Sequence, residues 1–223
     1  MDKKNRKIYD ISMPISADMP VYKGKEEKRP IRIVESDHLT GSVYESSIKM
    51  NLHTGTHLDR SLHMIPNGET MDTFRFEELI TECVVLDLTE VSDAVTAGDL
   101  ISKELRWGDF VLLKTRNSLE PILEGNFVYL EKSGAKYLAG LKVRGVGIDA
   151  LGIERGQPGH ETHLALMENG AHILEGLRLT DVKEGRYELV ALPLNIAGAE
   201  AAPVKAILIE DLDLIQGKVQ PED

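Results

Sequence analysis

Three short apolar runs decide how this chain folds: Val84-Val-Leu-Asp-Leu88, Phe110-Val-Leu-Leu-Lys114 and Val143-Arg-Gly-Val-Gly-Ile148. Bounded runs of this length and composition are typical of buried β-strands. Helix-like segments lie between them at 100–105 and 132–141, with Thr96 followed by Asp99 and with Ser133 as candidate helix starts. Strand and helix therefore alternate, which predicts a mixed α/β protein.

Further strands and a helix are predicted on both sides of these three runs. Upstream, residues 7–12, 31–35 and 43–52 carry β-branched or alternating residues and predict strands. Downstream, a helix is predicted over 161–168 with Gly170 as its stop, followed by strands over 173–179, 187–194 and 204–209. No long linker and no fixed-period repeat divides the sequence. We therefore expect a single domain over residues 1–223 with eight or nine strands.

Composition narrows the class of protein. The 223 residues include 42% hydrophobic residues, and 26 Lys and Arg stand against 37 Asp and Glu, giving a net charge of -11. This balance argues against a nucleic-acid partner. The absence of long apolar stretches predicts neither export nor a membrane partner. A single cysteine, Cys83, excludes an intrachain disulfide, is expected to be a small buried hydrophobe, and is compatible with the cytoplasm.

Residues 53–63 read His-Thr-Gly-Thr-His-Leu-Asp-Arg-Ser-Leu-His and contain three of the seven histidines. If the strand over 43–52 continues, His53 leaves its apolar face, and a positive φ at Gly55 lets His57 fold back beside His53. Asp59 then projects on the same side as His57, with Leu58 directed into the core. Imidazole and carboxylate groups are ligands for zinc and similar divalent ions, so the stretch predicts a metal site.

Other polar residues admit two interpretations. His63 fits a fourth ligand, a proton carrier or a solvent-facing residue. Glu175 lies in an apolar strand, where a metal could compensate its burial or where it could point to solvent. Taken alone, His160, His163 and His172 are each expected to be satisfied core histidines.

The motif His53-Thr-Gly-Thr-His57-Leu-Asp59, followed by His63, resembles the signature of the metal-dependent cyclase or kynurenine formamidase (arylformamidase) family. The similarity covers most of the chain, through Asp10-Ile-Ser, Ile173-Leu-Glu-Gly-Leu177, Tyr187-Glu-Leu-Val-Ala-Leu-Pro-Leu194 and Ala202-Pro-Val-Lys-Ala-Ile207. It implies metal ligands at His53, His57, Asp59, His163 and Glu175, with Asp59 bridging where two ions bind. It also implies a catalytic His63.

The resemblance further implies a swivelling β/β/α fold with a mixed β-sheet and flanking helices, and a homodimer. The expected cofactor is a divalent metal, Zn²⁺ at one or two ions per subunit, with Mn²⁺ as the alternative. The implied activity is that of a metal-dependent amidohydrolase, which uses metal-activated water on a small-molecule substrate such as N-formylkynurenine, in tryptophan degradation.

The sequence departs from the family pattern in two places. Asp59-Arg60-Ser61-Leu62-His63 lacks the proline of the usual Asp-x-Pro-x-His, which predicts a less rigid loop around His63. Arg60 is expected either to face solvent or to pair with an acid or an anionic substrate. Val21-Tyr22-Lys23-Gly24-Lys25 replaces an aromatic residue followed by Pro-Gly-Asp, and Tyr22 is expected to line the substrate pocket.

Three other functions remain open from the sequence. A cyclic amide or lactone hydrolase, similar to isatin hydrolase, needs the same activated water. An iron oxygenase fits His57, Asp59 and a distant His163, although such enzymes usually have all-β double-sheet folds. The third alternative is a family member that binds metal without turnover.

Overall fold

The computed structural model describes residues 6–211, whose centre is an eight-stranded mixed sheet that closes on itself. The described strands are β1 (Arg6–Asp10), β2 (Ile31–Ser36), β3 (Glu45–Lys49), β4 (His57–Asp59), β5 (Ile80–Asp87), β6 (Ala94–Val95), β7 (Phe110–Lys114), β8 (Tyr129–Leu130), β9 (Gly145–Ile148), β10 (His172–Glu175), β11 (Gly185–Pro193) and β12 (Ala201–Asp211). The main sheet has the order β1-β12-β11-β5-β7-β9-β10-β4, while β2–β3 and β6–β8 form two separate pairs.

The long strand β12 closes the sheet into a barrel. Its residues 201–203 pair antiparallel with β4, residues 204–209 pair with β11, and residues 207–211 pair with β1. Opposite this antiparallel part, β5, β7, β9 and β10 run parallel to one another. The helices are α1 (Phe76–Leu79), α2 (Ala97–Ile101), α3 (Lys132–Gly140) and α4 (Glu161–Met167).

Both faces of the parallel strands are buried, which explains their continuous apolar runs. Along β5, Cys83 and Val85 belong to the cluster inside the barrel, together with Leu58 and Leu174 from β4 and β10. Val84 and Leu86 point the other way, into the outer cluster that includes residues of α3 and α4. The predicted buried state of Cys83 is confirmed.

The predicted α/β class, with a mixed sheet and flanking helices, is confirmed. The helices predicted over 132–141 and 161–168 are present as α3 and α4. The helix predicted over 100–105 lies earlier, over Ala97–Ile101, because Thr96 caps it: the Asp99 carboxylate accepts hydrogen bonds from the Thr96 amide and hydroxyl at 2.8 and 2.6 Å. Helix α3 starts before Ser133, with Glu131 as its N-cap.

Two strand predictions are wrong in their extent. The strand predicted over 43–52 is only Glu45–Lys49, and it pairs with β2 as a projecting hairpin in which Ile48 is 53% exposed. The strand predicted over 173–179 ends at Glu175, because Gly176 turns the chain with φ 71. A Cβ atom at position 176 would lie 2.2 Å from the carbonyl oxygen of Gly55, so this close approach requires glycine.

Two broader expectations concern the chain as a whole. None of the helices within residues 6–211 is long and apolar enough to cross a bilayer. The single domain expected over residues 1–223 stays a prediction, since residues 1–5 and 212–223 lie outside the described part of the chain.

Candidate metal centre

The predicted site residues meet on the outer face of the barrel, where β4 and β10 pair. His57 lies directly opposite Glu175 in this antiparallel ladder, and Asp59 lies opposite Ile173. Alternation places Leu58 inside the barrel, as predicted, and leaves His57 and Asp59 together on the outside. Helix α4 brings His163 to the same face. Residues more than a hundred positions apart in the sequence therefore form one cluster.

The cluster is compact and buried. His57 Nε2 lies 3.4 Å from Asp59 Oδ1 and 3.2 Å from Glu175 Oε2. His163 Nε2 lies 3.5 Å from Glu175 Oε1 and 3.8 Å from Asp59 Oδ2. Glu175 is 4% exposed, so the solvent-facing interpretation of this residue is wrong. Its Oε1 accepts a hydrogen bond of 2.5 Å from the Ile153 amide.

His53 reaches the cluster by a turn and not by the expected extension of a strand. β3 ends at Lys49, and the irregular segment 50–56 follows. Gly55 has the predicted positive φ, 72°, and the His53 and His57 rings lie 5.1 Å apart between centroids. His53 Nδ1 is 2.9 Å from Asp59 Oδ1, and its Nε2 is 3.3 Å from Glu200 Oε1.

The donor set fits a divalent cation. Within residues 6–211, His57 Nε2 and both carboxylate oxygens of Asp59 are buried without an aligned hydrogen-bond partner, although His53 Nδ1 lies 2.9 Å from Asp59 Oδ1. His57 Nδ1 lies 3.0 Å from the Gly55 carbonyl oxygen, which favours a proton on Nδ1 and leaves the Nε2 lone pair free. Buried polar atoms normally have partners, so three such atoms facing one point form a donor set that suits a positive ion. Imidazole and carboxylate ligands suit zinc or manganese.

In the metal-free protein, protonated imidazoles compensate the negative charge of the buried carboxylates. Burial lowers the pKa of His57, but Asp59 and Glu175 more than offset it and raise the pKa to about 9. Burial likewise opposes protonation of His163, yet Glu154 and Glu175 raise its pKa to about 10. Burial would raise the pKa of Glu175, but its contacts with His163 and His57 hold it well below its usual range. Protons and a metal ion therefore compete for these imidazoles.

A cavity of about 340 Å³ opens onto the cluster. Tyr22 belongs to its wall, and the absence of a side chain at Gly152 lets the ring lie close, since a Cβ atom there would be 2.7 Å from Tyr22 Cε2. The lining residues are Tyr22, Lys28, His53, His63, Met64, Leu151, Gly152, Glu154, His160, His163 and Glu175. The cavity thus has an aromatic and apolar side next to the polar cluster.

His63 lies in the cavity wall, at the end of a short 3₁₀ helix over Ser61–His63. Its ring centroid is 4.1 Å from that of His53 and 5.7 Å from that of His163. Burial is the main cause that lowers the pKa of His63, so its ring is neutral at pH 7 and can accept a proton. Ligand atoms of His63, Asp59 and His163 also lie within 4.8 Å of one another. This geometry is compatible with either a proton carrier or a further ligand.

The loop that carries His63 is closed by hydrogen bonds and not by proline. The Ser61 hydroxyl accepts a hydrogen bond of 2.8 Å from the Glu69 amide, and the Leu62 amide donates to the Glu69 carbonyl at 3.1 Å. The Ile65 amide donates to the Ser61 carbonyl at 2.7 Å. The expectation of a looser loop is therefore not supported, because Ser61 itself ties the two ends together.

Arg60 is 5% exposed, so the expectation of a solvent-facing side chain is wrong. Its guanidinium donates to Glu69 Oε2 and Thr73 Oγ1, both at 2.9 Å, and to the Thr70 carbonyl. It also contacts Nδ1 of His172, a buried histidine whose Nε2 meets Glu78 Oε2 at 3.1 Å. Arg60 does not line the cavity, so this placement does not support the predicted contact with substrate.

The sequence reading missed two members of the site. Glu154 is buried behind His163, and His160, expected in the core, is exposed and lines the cavity. Glu154 follows the carboxyl end of the parallel strand β9, an edge where ligand-binding residues often lie. Its place after a predicted parallel strand is the sequence feature that could have identified Glu154 as a site residue. His172, by contrast, is the satisfied buried histidine that was predicted.

A closed mixed sheet with a histidine and carboxylate centre on its outer face defines an α/β protein built to hold a divalent metal. The chain belongs to the cyclase family: the family model described as "Putative cyclase" matches residues 9–155. The predicted family is thereby confirmed.

Individual relatives agree with this membership. A kynurenine formamidase of Salinibacter ruber is 32% identical over 207 residues, covering 90% of this chain and 96% of the relative. A solved structure of a potential metal-dependent hydrolase with cyclase activity is 46% identical, with a TM-score of 0.86 and coverage of 92% and 98%. Isatin hydrolase A of Labrenzia aggregata shares the fold at 23% identity, with a TM-score of 0.81 and coverage of 92% and 94%.

Proposed function

We propose that this protein is a metal-dependent amidohydrolase that hydrolyses N-formylkynurenine or a related small aromatic amide. The observation that carries the proposal is the buried Asp59 carboxylate, which has no aligned hydrogen-bond donor and lies among three imidazoles, beside a cavity with an aromatic wall. The kynurenine formamidase relatives support the predicted enzyme class, a hydrolase of carbon–nitrogen bonds other than peptide bonds. Both lines of support point to the same small-molecule chemistry.

The residues that would hold the metal are His53, His57, Asp59, His163 and Glu175, and Asp59 would be shared where two ions bind. Zn²⁺ is the proposed metal, at one or two ions per subunit, and Mn²⁺ is the alternative that the same donor set accepts. A bound divalent ion supplies Lewis acidity toward a carbonyl oxygen and lowers the pKa of water. Proton transfer and substrate contact are assigned to side chains of the protein.

Proton transfer is assigned to His63, the proposed catalytic residue. Its neutral ring faces the cavity and can take a proton from the attacking water and return it to the leaving nitrogen. Tyr22 is proposed to contact the aromatic part of the substrate. Met64 and Leu151 complete the less polar part of the wall and exclude water from that side. Hydrolysis of an N-formyl arylamine then gives formate and the free amine.

The second candidate is opening of a cyclic amide or lactone, which needs the same groups and a different cavity shape. The isatin hydrolases share the fold, but their identity to this chain is too low to show more than that. An iron oxygenase is disfavoured, because the closed mixed sheet with helices is not an all-β double sheet. A protein that binds metal without turnover is the third outcome that an experiment must separate.

The test combines elemental analysis of the purified protein with a hydrolase panel that contains N-formylkynurenine, isatin and a simple lactone. We expect one or two divalent ions per subunit and release of formate from N-formylkynurenine, with Asp59→Asn as the inactive control. Preferential turnover of isatin or of the lactone would assign the second candidate. Full metal content with no turnover in the panel would identify a non-catalytic metal protein.

A cytoplasmic homodimer is also proposed. The hairpin of β2 and β3 supports the dimer, because Ile31, Ile33 and Ile48 are about half exposed and a lone two-stranded hairpin is marginally stable. The free, buried state of Cys83 suits a reducing compartment. Light scattering on the full chain tests the dimer, and a monomer at micromolar concentration would contradict it.

A further inference from the structure

Glu154 is a buried carboxylate directly behind the proposed ligand His163. It is 5% exposed, and its Oε1 lies 3.1 Å from His163 Nδ1 and 2.7 Å from His160 Nδ1. Its Oε2 accepts hydrogen bonds from the Thr162 amide at 2.9 Å and from Gln157 Nε2 at 3.3 Å. The carboxylate is therefore held from one side and presents its other oxygen to two imidazoles.

His163 Nδ1 needs this carboxylate. The atom is buried, and within the described chain it has no aligned hydrogen-bond partner, although Glu154 Oε1 is close enough for an ion pair. For Nε2 of His163 to face Asp59 and Glu175 with a free lone pair, the proton of the neutral ring must be on Nδ1. A carboxylate next to Nδ1 selects that tautomer and makes Nε2 a stronger donor. Glu154 is the acceptor in place for this role.

Ile153, which precedes Glu154, orients a second proposed ligand, Glu175. The Ile153 amide donates to Glu175 Oε1 at 2.5 Å, so two consecutive residues after β9 orient the two ligands contributed by α4 and β10. The tautomer of His57 is fixed by a neutral group, because its Nδ1 faces the carbonyl oxygen of Gly55 at 3.0 Å. Of these two histidines, only His163 has a charged group beside its Nδ1.

His160 holds the carboxylate from the solvent side. It precedes α4 in the left-handed conformation, with φ 54, and its ring is exposed at the cavity. A residue other than glycine rarely adopts this conformation without compensation, and the contact with Glu154 supplies one. His160 thus links the cavity wall to the carboxylate behind His163.

We propose that Glu154 is a positioning residue that fixes the Nδ1-protonated tautomer of His163, with His160 as the second group that holds its carboxylate. The inference rests on the proposed metal centre, but it is measured without substrate. Its failure is thus distinguishable from failure of the hydrolase proposal. Substrate turnover by the wild type tests the function, whereas metal affinity and the state of the His163 ring test Glu154.

The experiment titrates Zn²⁺ against a competing chelator in the metal-free full chain, comparing Glu154→Gln with wild type. Glutamine keeps the size but removes the charge, so we expect Zn²⁺ binding to weaken by about 10- to 100-fold. The matched control is Glu161→Gln in the first turn of α4, where the side chain is 41% exposed and the carboxylate pairs with Lys132 at 3.4 Å. The control should bind Zn²⁺ like the wild type, and His160→Asn should cause a smaller loss than Glu154→Gln.

A second measurement has an arm on the wild type, which does not depend on the variant folding. Nitrogen-15 NMR of the Zn²⁺-loaded wild type reports which ring nitrogen of His163 carries the proton, and we expect Nδ1. In Glu154→Gln that signal should broaden or shift, while circular dichroism stays that of the wild type. Unchanged Zn²⁺ affinity in Glu154→Gln, or a His163 ring without a proton on Nδ1, would overturn the proposal.

Discussion

Two buried aspartates on the same barrel have opposite surroundings. Asp149 follows β9 and is 0% exposed, and its carboxylate accepts five hydrogen bonds, from the amides and hydroxyls of Thr115 and Ser118 and from Asn117 Nδ2. Asp59 ends β4 and is 3% exposed, yet neither of its oxygens has an aligned hydrogen-bond donor among residues 6–211. Burial is similar, but the neighbouring groups differ.

The difference separates a structural carboxylate from one arranged for a cation. A buried carboxylate is tolerated when hydrogen bonds replace its hydration, as the donors around Asp149 do. Around Asp59 the neighbours are imidazoles with lone pairs of their own, so the compensation must come from protons or from a metal ion. Burial alone would have assigned the two residues the same role.

Asp59→Asn should have the largest effect. The amide removes one oxygen donor and the negative charge that the proposed cation shares with His53, His57 and His163. We expect bound metal to be lost and hydrolysis to fall below detection while the fold persists. Elemental analysis, an activity assay and circular dichroism measure the three quantities. Full metal content in this variant would remove Asp59 from the proposed ligands.

His63→Ala should have the next largest effect. Loss of a group that transfers a proton typically lowers kcat by about 10²- to 10⁴-fold, and the metal should remain bound because five other ligands are proposed. Steady-state kinetics and elemental analysis on the same preparation check this. If the metal disappears together with activity, His63 is a ligand and the proton is carried by another group.

Asp149→Asn tests the other half of the comparison. An amide nitrogen in place of either oxygen would face donors such as Asn117 Nδ2 or the Thr115 amide. We expect the free energy of unfolding to fall by about 1–3 kcal/mol, with metal content unchanged. Urea denaturation gives the first value and elemental analysis the second. Loss of metal without loss of stability would make Asp149, and not only Asp59, part of the centre.

The pH dependence of the metal-free protein should show the smallest effect. The folded-state pKa values of His57 and His163 are raised to about 9 and about 10, above the ordinary value of 6.5. Their protonation therefore stabilises the metal-free fold fully below about pH 6.5, and this stability is lost as pH rises through 9 to 10. In the metal-loaded protein the imidazoles are already deprotonated, so the decline should be weaker. Urea titrations at several pH values, with and without Zn²⁺, compare the two, and identical pH profiles would contradict the competition between protons and metal.

Much of the candidate site could be predicted from the sequence because it is local. His57, Leu58 and Asp59 alternate in a three-residue strand, and the pleat alone decides which side chains share a face. The positive φ of Gly55 follows from the same short motif. His163 is assigned only by the family resemblance, since nothing in its own neighbourhood separates it from core histidines. Glu175 is an acid in an apolar strand, but the sequence alone leaves its metal-binding and solvent-facing interpretations open.

Two of the remaining errors have non-local causes. Residues 43–52 have the alternation of a strand against a core, but β3 pairs only with β2 and its apolar side chains remain exposed. Arg60 has the composition of a surface residue, but Glu69, Thr73 and His172 converge on it from other segments. No periodicity in the sequence reports such partners.

By itself, the sequence determined the α/β class and the metal-ligand chemistry of residues 53–59, because periodicity and side-chain type act over a few residues. Only the tertiary structure decided that Glu175 is buried opposite His57, that Glu154 stands behind His163, and that Arg60 turns away from the cavity. The physical reason is that these contacts depend on closure of the sheet by β12 and on the placement of α4, which bring distant segments together.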